Sequence, residues 1–499
     1  MDKKRAKLNV STAIISKIII LILSIISKRF LIEYIGNAVN GLNTLFINIT
    51  AFLSIVEAGM GTAITYCMYE PIANGNDEKV VGLYCLFKKA YTVIGIIVLI
   101  LGIMMLPLLP YLSKGYVVDA EAYISYLLYL AGTVITYFYA AKLSLINAYK
   151  NNYISTIITS LGLVLQYVMQ IIVLIITKSF IWFSASKVVA AVLQWVIFVS
   201  FGKYNNITKR KAKLDCVSLN EVKKNIKAMF LHKIGDVIFS TVDSLVISSF
   251  ISIIILGYYS NYFTILVAMN EVLKLFIIPL TSIIGHMNVE STIEEKRRYF
   301  NLFYALNFVL GIIFYLGFFA IGHEAVIICF GEGLEIKNEL LALLSLTYFI
   351  QFMRQTTSVF KDSFGLFYKD RYVAIIAALL NICLSILLAL WLDIYGVLLA
   401  TIIVDILVYH VVEPLILFKY GFQQKPFKFY VKNYSIFLFF TLEIFVFSLI
   451  PVNLSNVFLR LLVKGSISIA VNIIPVLSVV FIDRNVRSLI KSKLKILKK

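Results

Sequence analysis

The strongest constraint on this chain is a run of about 20 apolar residues that recurs from end to end, cut by short polar turns. A backbone can cross a bilayer only as a helix or a closed barrel, because every N–H and C=O must find its partner inside the segment or its neighbours. The runs are unbroken rather than alternating, which suits helices and not barrel strands. Across 499 residues the hydrophobic share is 60%, well above the roughly 45 to 50% of soluble domains. An all-α polytopic membrane protein follows, with about fourteen predicted spans of bilayer length, among them 41–66, 299–321, 338–364, 372–392 and 394–417.

The formal charge of +19 would point to nucleic acid in a soluble protein. Here most of the Lys and Arg fall in the N-terminal tail, the even-numbered loops and the C-terminal tail, while the odd-numbered loops hold only Lys114, Lys178 and Lys337. The positive-inside rule accounts for that asymmetry and places both termini in the cytoplasm, with no nucleic-acid partner expected. Arg460 and Lys464, near the outer end of the last predicted span, run against the pattern. The opening MDKKRAK resembles the start of a signal peptide, but Lys17, Lys28 and Arg29 interrupt the apolar run and no small-residue cleavage site follows, so a retained first helix is expected.

The basic stretch around KYNNITKRKAKLD divides the chain, and its charge suits contact with anionic lipid. Residues 1–202 are expected to form one six-helix lobe and 203–227 a basic cytoplasmic linker. Residues 228–418 form the second lobe, 419–483 two more helices, and 484–499 a basic tail. GLNTLFINIT, from Gly41, and GYYSNYFTIL, from Gly257, place Gly and aromatics at similar offsets in the two halves. Repeated six-helix units are what a transporter with a site at the repeat interface would carry.

Charges inside these spans define the candidate site. Gln351, Arg354, Gln355, Ser358 and Lys361 recur at spacings of three and four, which makes a polar stripe on one helix face. An Arg at bilayer depth costs about 2.5 to 3.5 kcal/mol on insertion scales and therefore faces a bundle interior or a wet cavity. The stripe lines a cationic cavity, or else Arg354 pairs with a carboxylate on another helix. Lys17 and Lys28 share a face of the first helix, and Lys142 and Lys187 are further cations. His232, Asp236 and Asp243 align on the first helix of the second half, where His232 suits a proton relay or a structural hydrogen bond. Glu57, a helix-lobe contact or an ion ligand and with His232, Asp236, Asp243 and Asp362 a candidate coupling or cavity group, precedes Gly59 and Gly61, whose small size suits close helix packing. Glu271 and Lys274 neutralise each other at i,i+3, and Pro414 kinks or ends the helix that carries Asp405 and Glu413.

No phosphate loop, HExxH or nucleophile elbow occurs, and the four His and five Cys show no ligand spacing. Neither an enzyme nor a metal or cofactor is expected.

SKRFLIEYIG, GLNTLF, AGMGTAI and YEPIANGNDEKV, followed by FLHKIGDVIFSTVDSLVIS, GYYSNYFTI, FKDSFGLFYKDRY and VEPLILFKYGF, resemble in order and spacing the bacterial oligosaccharide flippases of the polysaccharide biosynthesis family, in the multidrug/oligosaccharidyl-lipid/polysaccharide superfamily. The resemblance covers most of residues 25–425. It implies two pseudo-symmetric lobes in a V, as in multidrug and toxin extrusion transporters, with two extra C-terminal helices. It further implies a plasma-membrane flippase that turns undecaprenyl-diphosphate-linked oligosaccharide units to the outer leaflet for capsule or exopolysaccharide synthesis. H+ or Na+ would be the coupling ion, and polysaccharide polymerase and glycosyltransferases the partners. The matching cationic positions are Arg29, Lys142, Arg354 and Lys361, and Asp243 and Asp362 have acidic counterparts, either binding a coupling cation or holding Arg and Lys in place. A cation-coupled multidrug exporter and a membrane polysaccharide polymerase or ligase are the alternatives. The surplus of buried cations opposes the first, and the short acidic outer loop opposes the second.

Overall fold

A computed structural model describes residues 3–482 except 213, 215–221, 223–225, 227–229, 231–233, 236 and 240. Among the described residues every regular element is helical, and ten helices are long and apolar enough to cross a membrane. Ile18, Ile22, Ile176, Trp182, Leu390 and Trp391 lie on exposed helix faces. Large apolar faces of this kind suit lipid rather than water. The protein is an all-α multi-pass membrane protein. Asn338–Ser363 has the length of a span but lies outside the ten, because Gln351, Arg354, Gln355, Lys361 and Asp362 lower its hydropathy.

The chain divides into two compact units, Met1–Gly257 and Tyr258–Lys499. In the first, Lys3–Tyr34 packs on Asn152–Thr177, which packs on Phe180–Ser200; Ala120–Ala148 lies against both Phe180–Ser200 and Asp77–Met104. Polar groups tie these apolar cylinders at chosen heights. Ser27 donates to Gln170 at 3.0 Å, Tyr139 donates to Gln194 at 2.5 Å, and Gln194 donates on to the Thr159 carbonyl at 3.2 Å. In lipid such bonds locate one helix against the next where hydrophobicity does not discriminate.

The first unit runs past the basic stretch because residues 247–257 are bonded into it. The Lys114 N–H donates to the Ser248 carbonyl at 3.0 Å, and the Ile253 N–H donates to the Lys114 carbonyl at 2.9 Å. Asn37 and Asn40 donate to the Ile254 and Gly257 carbonyls. The two glycines matched in the sequence, Gly41 and Gly257, meet here. A Cβ at Gly41 would lie 2.1 Å from the Ile253 carbonyl oxygen, and one at Gly257 would lie 2.4 Å from the Asn37 oxygen. Only glycine admits backbones this close.

The predicted helix 41–66 is not continuous. Asn37–Leu53 gives way to a 3-10 turn, Ser54–Glu57, and a new helix starts at Met60. Gly59, at φ +77°, makes the turn; its role is conformational, whereas Gly61 has the Tyr91 hydroxyl 3.2 Å from where a Cβ would stand. The predicted pair 372–392 and 394–417 is a helical hairpin: Asp393 adopts φ +50°, and Asn381 donates across it to Thr401 at 3.0 Å.

In the second unit Ile293–Phe330 packs on Asn338–Ser363 and Val457–Ile482. Phe300 is ringed by Phe360, Phe418, Phe422 and Phe429, and Phe349 stacks on Phe440 at 3.9 Å. Rings of this kind fill space with few rotatable bonds and fix helix order. Ile293–Phe330 extends beyond the predicted end at 321, so Glu324, expected in an outer loop, is instead buried on the helix and accepts from Lys464 at 2.8 Å. That pair supplies the physical reason for a lysine that runs against the positive-inside pattern.

Candidate functional site

In the second unit the predicted stripe on Asn338–Ser363 meets a distorted helix. Asp405–Tyr409 and Leu417–Gly421 are π-helical turns on either side of His410–Ile416, which contains Pro414. The helix thus passes Pro414 without ending, and the widened turns accommodate the missing N–H. They also present Glu413 to the stripe. Arg354 Nε donates to Glu413 Oε2 at 3.0 Å and Nη2 donates to Oε1 at 2.8 Å, a bidentate fork. The guanidinium lies 3.4 Å from the centre of the Tyr409 ring. Lys361 donates to Glu413 Oε1 at 3.1 Å and also to Asp370 Oδ2, with Asp362 Oδ1 at 3.7 Å.

Two cations therefore face three carboxylates, so this cluster holds no surplus positive charge. Exposure differs within it: the side chains of Lys361 and Glu413 are 2% and 1% exposed, Arg354 is 27% and Asp362 is 46% exposed. Arg354 thus keeps part of its side chain accessible while its partner carboxylate does not. Its fork uses two of the five N–H groups that a guanidinium carries.

The first unit meets its buried cations differently. Lys142, on Ala120–Ala148, donates to the Val199 carbonyl at 3.1 Å, in the last turn of Phe180–Ser200. It satisfies a carbonyl that the helix end leaves orphaned and sits at the negative end of the helix dipole. Lys187 lies along Gly132, donates to the Thr133 hydroxyl at 3.3 Å and places its ammonium 4.6 Å from the centre of the Tyr129 ring. Glu57 is half-buried in the break between helices, within electrostatic reach of Tyr91 and Tyr137, whose rings stack at 6.4 Å.

Arg29 is exposed on Lys3–Tyr34, beside a half-buried Lys28, and Asp243 is half-buried. His232 and Asp236 lie outside the described residues. The structure thus brings Arg354, Lys361 and Asp362 into one cluster. Glu57, Lys142 and Lys187 fall at three separate places in the first unit. Glu271 and Lys274 pair at 2.6 Å, as the spacing predicts.

The expected alternative, Arg354 paired with a carboxylate on another helix, is what the structure shows, with Glu413 as that carboxylate; the sequence marks Glu413 by its proline but does not name it as the partner, and it gives no sign of Asp370. The available signal was energetic: a carboxylate at bilayer depth requires a cation, but the chain order does not say which helix supplies it. His410 was likewise hidden; it is buried, with Nε2 at 3.0 Å from the Ile350 carbonyl and Nδ1 at 3.2 Å from Asn433. Among the described residues no group of three or more His, Cys, Asp or Glu could hold a metal ion.

The fold of the chain is similar to that of solved structures. A lipid II flippase, MurJ, in an inward closed conformation, superposes with a TM-score of 0.65 at 17% identity, over 95% of this chain and 99% of that one. An inward-facing multidrug resistance MATE family transporter of the MOP superfamily gives 0.63 at 15% identity, over 85% and 95%. The Vibrio cholerae MATE transporter VcmN gives 0.55 at 14%, over 84% and 98%. No family model and no curated protein matches the sequence, so the likeness is one of structure. The likeness shows that this chain shares the fold of these solved transporter and flippase structures.

Proposed function

We propose that this protein is a flippase that carries a lipid-linked oligosaccharide, joined through a diphosphate to an undecaprenyl chain, from the inner to the outer leaflet by alternating access. The observation that carries the choice of substrate is the reach of the two likenesses. The match to a lipid II flippase takes in 95% of the chain, whereas the match to a multidrug transporter takes in 85%. The fuller match suits a chain that carries two helices, Phe427–Ser448 and Val457–Ile482, expected beyond the two six-helix lobes. A substrate with a long polyprenyl tail needs a lipid-facing surface along its path that a small soluble drug does not.

In this reading Arg354 is the diphosphate contact. Its accessible part receives an oxyanion while Glu413 holds the fork, and Lys361, locked by Glu413 and Asp370, fixes Glu413 in turn. An arriving diphosphate competes with Glu413 for the guanidinium, so that binding and local rearrangement are linked. Lys142 and Arg29 complete the cationic set carried by the family resemblance. Glu57, His232, Asp236, Asp243 and Asp362 are the candidates for coupling to H+ or Na+. Glu57 leads them because it sits in a broken span, where transporters build ion sites.

The test is transport in proteoliposomes that contain a defined undecaprenyl-diphosphate oligosaccharide, read as glycan accessible at the outer face. Flipping above protein-free vesicles, competed by undecaprenyl diphosphate, is expected. A protein that moves cationic dyes under an ion gradient and leaves the lipid-linked glycan in place would instead be a multidrug exporter.

A further inference from the structure

A second concentration of positive charge lies in the first unit, on the side that the charge pattern makes cytoplasmic. Asp77–Met104 and the segment 208–212 border an open hollow of about 1050 Å³ lined by Lys88, Lys89, Lys209, Arg210 and Lys211. All five cations are exposed, and none makes an ion pair among the described residues. Five like charges held around one hollow repel one another unless an anion occupies it.

The hollow is built rather than incidental. Asn151 donates to the Tyr204 hydroxyl at 2.6 Å, and the Tyr149 ring lies 5.0 Å from that of Tyr204. The Cys85 thiol donates to the Arg210 carbonyl at 3.5 Å. Gly82 leaves room for Leu214, whose side chain would stand 3.2 Å from a Cβ there. The basic segment is thereby fastened to the helix it faces.

The same helix says what kind of anion fits. From Lys89 toward the bilayer its outer face continues through Val93, Ile96, Ile97, Ile100 and Met104, all exposed. At 1.5 Å per residue the stripe from Val93 to Met104 is about 16 Å long, close to one leaflet of a hydrocarbon core about 30 Å thick. Phosphate-binding charge at one end of a leaflet-length apolar track matches a lipid, not a soluble anion. Basic pockets beside cytoplasmic helix ends take such headgroups.

We propose that this pocket is a binding site for an anionic lipid of the inner leaflet, with the headgroup phosphate held by Lys88, Lys89, Lys209, Arg210 and Lys211 and an acyl or prenyl chain along Val93 to Met104. The proposal does not depend on the transported substrate and stands if the protein exports something else.

The test is native mass spectrometry of the full-length protein in detergent, titrated separately with cardiolipin, undecaprenyl diphosphate, phosphatidylcholine and inorganic pyrophosphate. One cardiolipin or one undecaprenyl diphosphate retained per chain is expected, with phosphatidylcholine lost. Changing Lys88, Lys89, Lys209 and Lys211 together to Gln should weaken retention about tenfold or more, and changing the same four to Arg should restore it. Maleimide labelling of Cys85, followed by peptide mapping, should slow when the lipid is bound. Displacement of cardiolipin by undecaprenyl diphosphate would show a shared site for both lipids, and failure to displace it a site for phospholipid; either supports the proposal. Equal lipid retention by wild type and the Gln variant, equal retention of phosphatidylcholine, or binding of pyrophosphate alone would overturn it.

Discussion

The two units treat buried cations in opposite ways. In the first, Lys142 rests on a helix-end carbonyl, and Lys187 on a hydroxyl and a tyrosine ring. In the second, Arg354 and Lys361 share Glu413, Lys361 also holds Asp370, and Lys464 holds Glu324. Neutral partners leave the charge of a cation uncancelled, so the first unit keeps a positive field at depth. Carboxylate partners cancel it and fix geometry instead. For an anionic substrate, the first arrangement attracts, whereas the second makes the substrate compete.

If that contrast holds, the largest effect comes from the carboxylate at its centre. Glu413→Gln leaves two buried cations short of their partner, and removing one member of a buried pair costs about 3 to 5 kcal/mol. Thermal unfolding in detergent should show a marked drop in melting temperature; an unchanged melt would mean that the cluster is solvated. Next in size is Lys187→Met. Cation–π contacts are worth about 0.5 to 2 kcal/mol, so stability should fall modestly while flipping falls further, since an uncancelled charge is lost; equal losses in both would reduce Lys187 to packing. The smallest change is Lys142→Met, which removes one charge-assisted cap worth about 1 kcal/mol. It should lower the melting temperature only slightly while flipping falls by more than that loss explains, since a second uncancelled charge is removed; flipping at the wild-type rate would leave Lys142 a helix cap outside the cationic set.

The fold was largely legible in the sequence because bilayer thickness sets span length and leaves helices as the way to cross it. The hairpin at Asp393 falls between the two predicted spans, and the Gly41–Gly257 approach joins two segments already matched by composition. What stayed hidden depends on tertiary partners. Glu413 could be seen as a costly charge, but not as the partner of Arg354, because helix adjacency is not written in chain order. The end of Ile293–Phe330 was placed too early because Glu324 looks like a loop residue until Lys464, 140 positions on, is found beside it. The break at Ser54–Glu57 was missed because Gly59 reads equally as a packing or a turning residue.

The central claim is that Arg354 serves an oxyanion as well as Glu413. Replacing the pair with an apolar one, Arg354→Met with Glu413→Leu, removes both charges, and exchange of a buried ion pair for apolar residues is often neutral for stability. Flipping of a lipid-linked oligosaccharide by this double variant, measured in proteoliposomes at equal protein density, should fall about tenfold or more although the protein still folds. Transport at the wild-type rate would contradict the account and leave the fork as a structural tie.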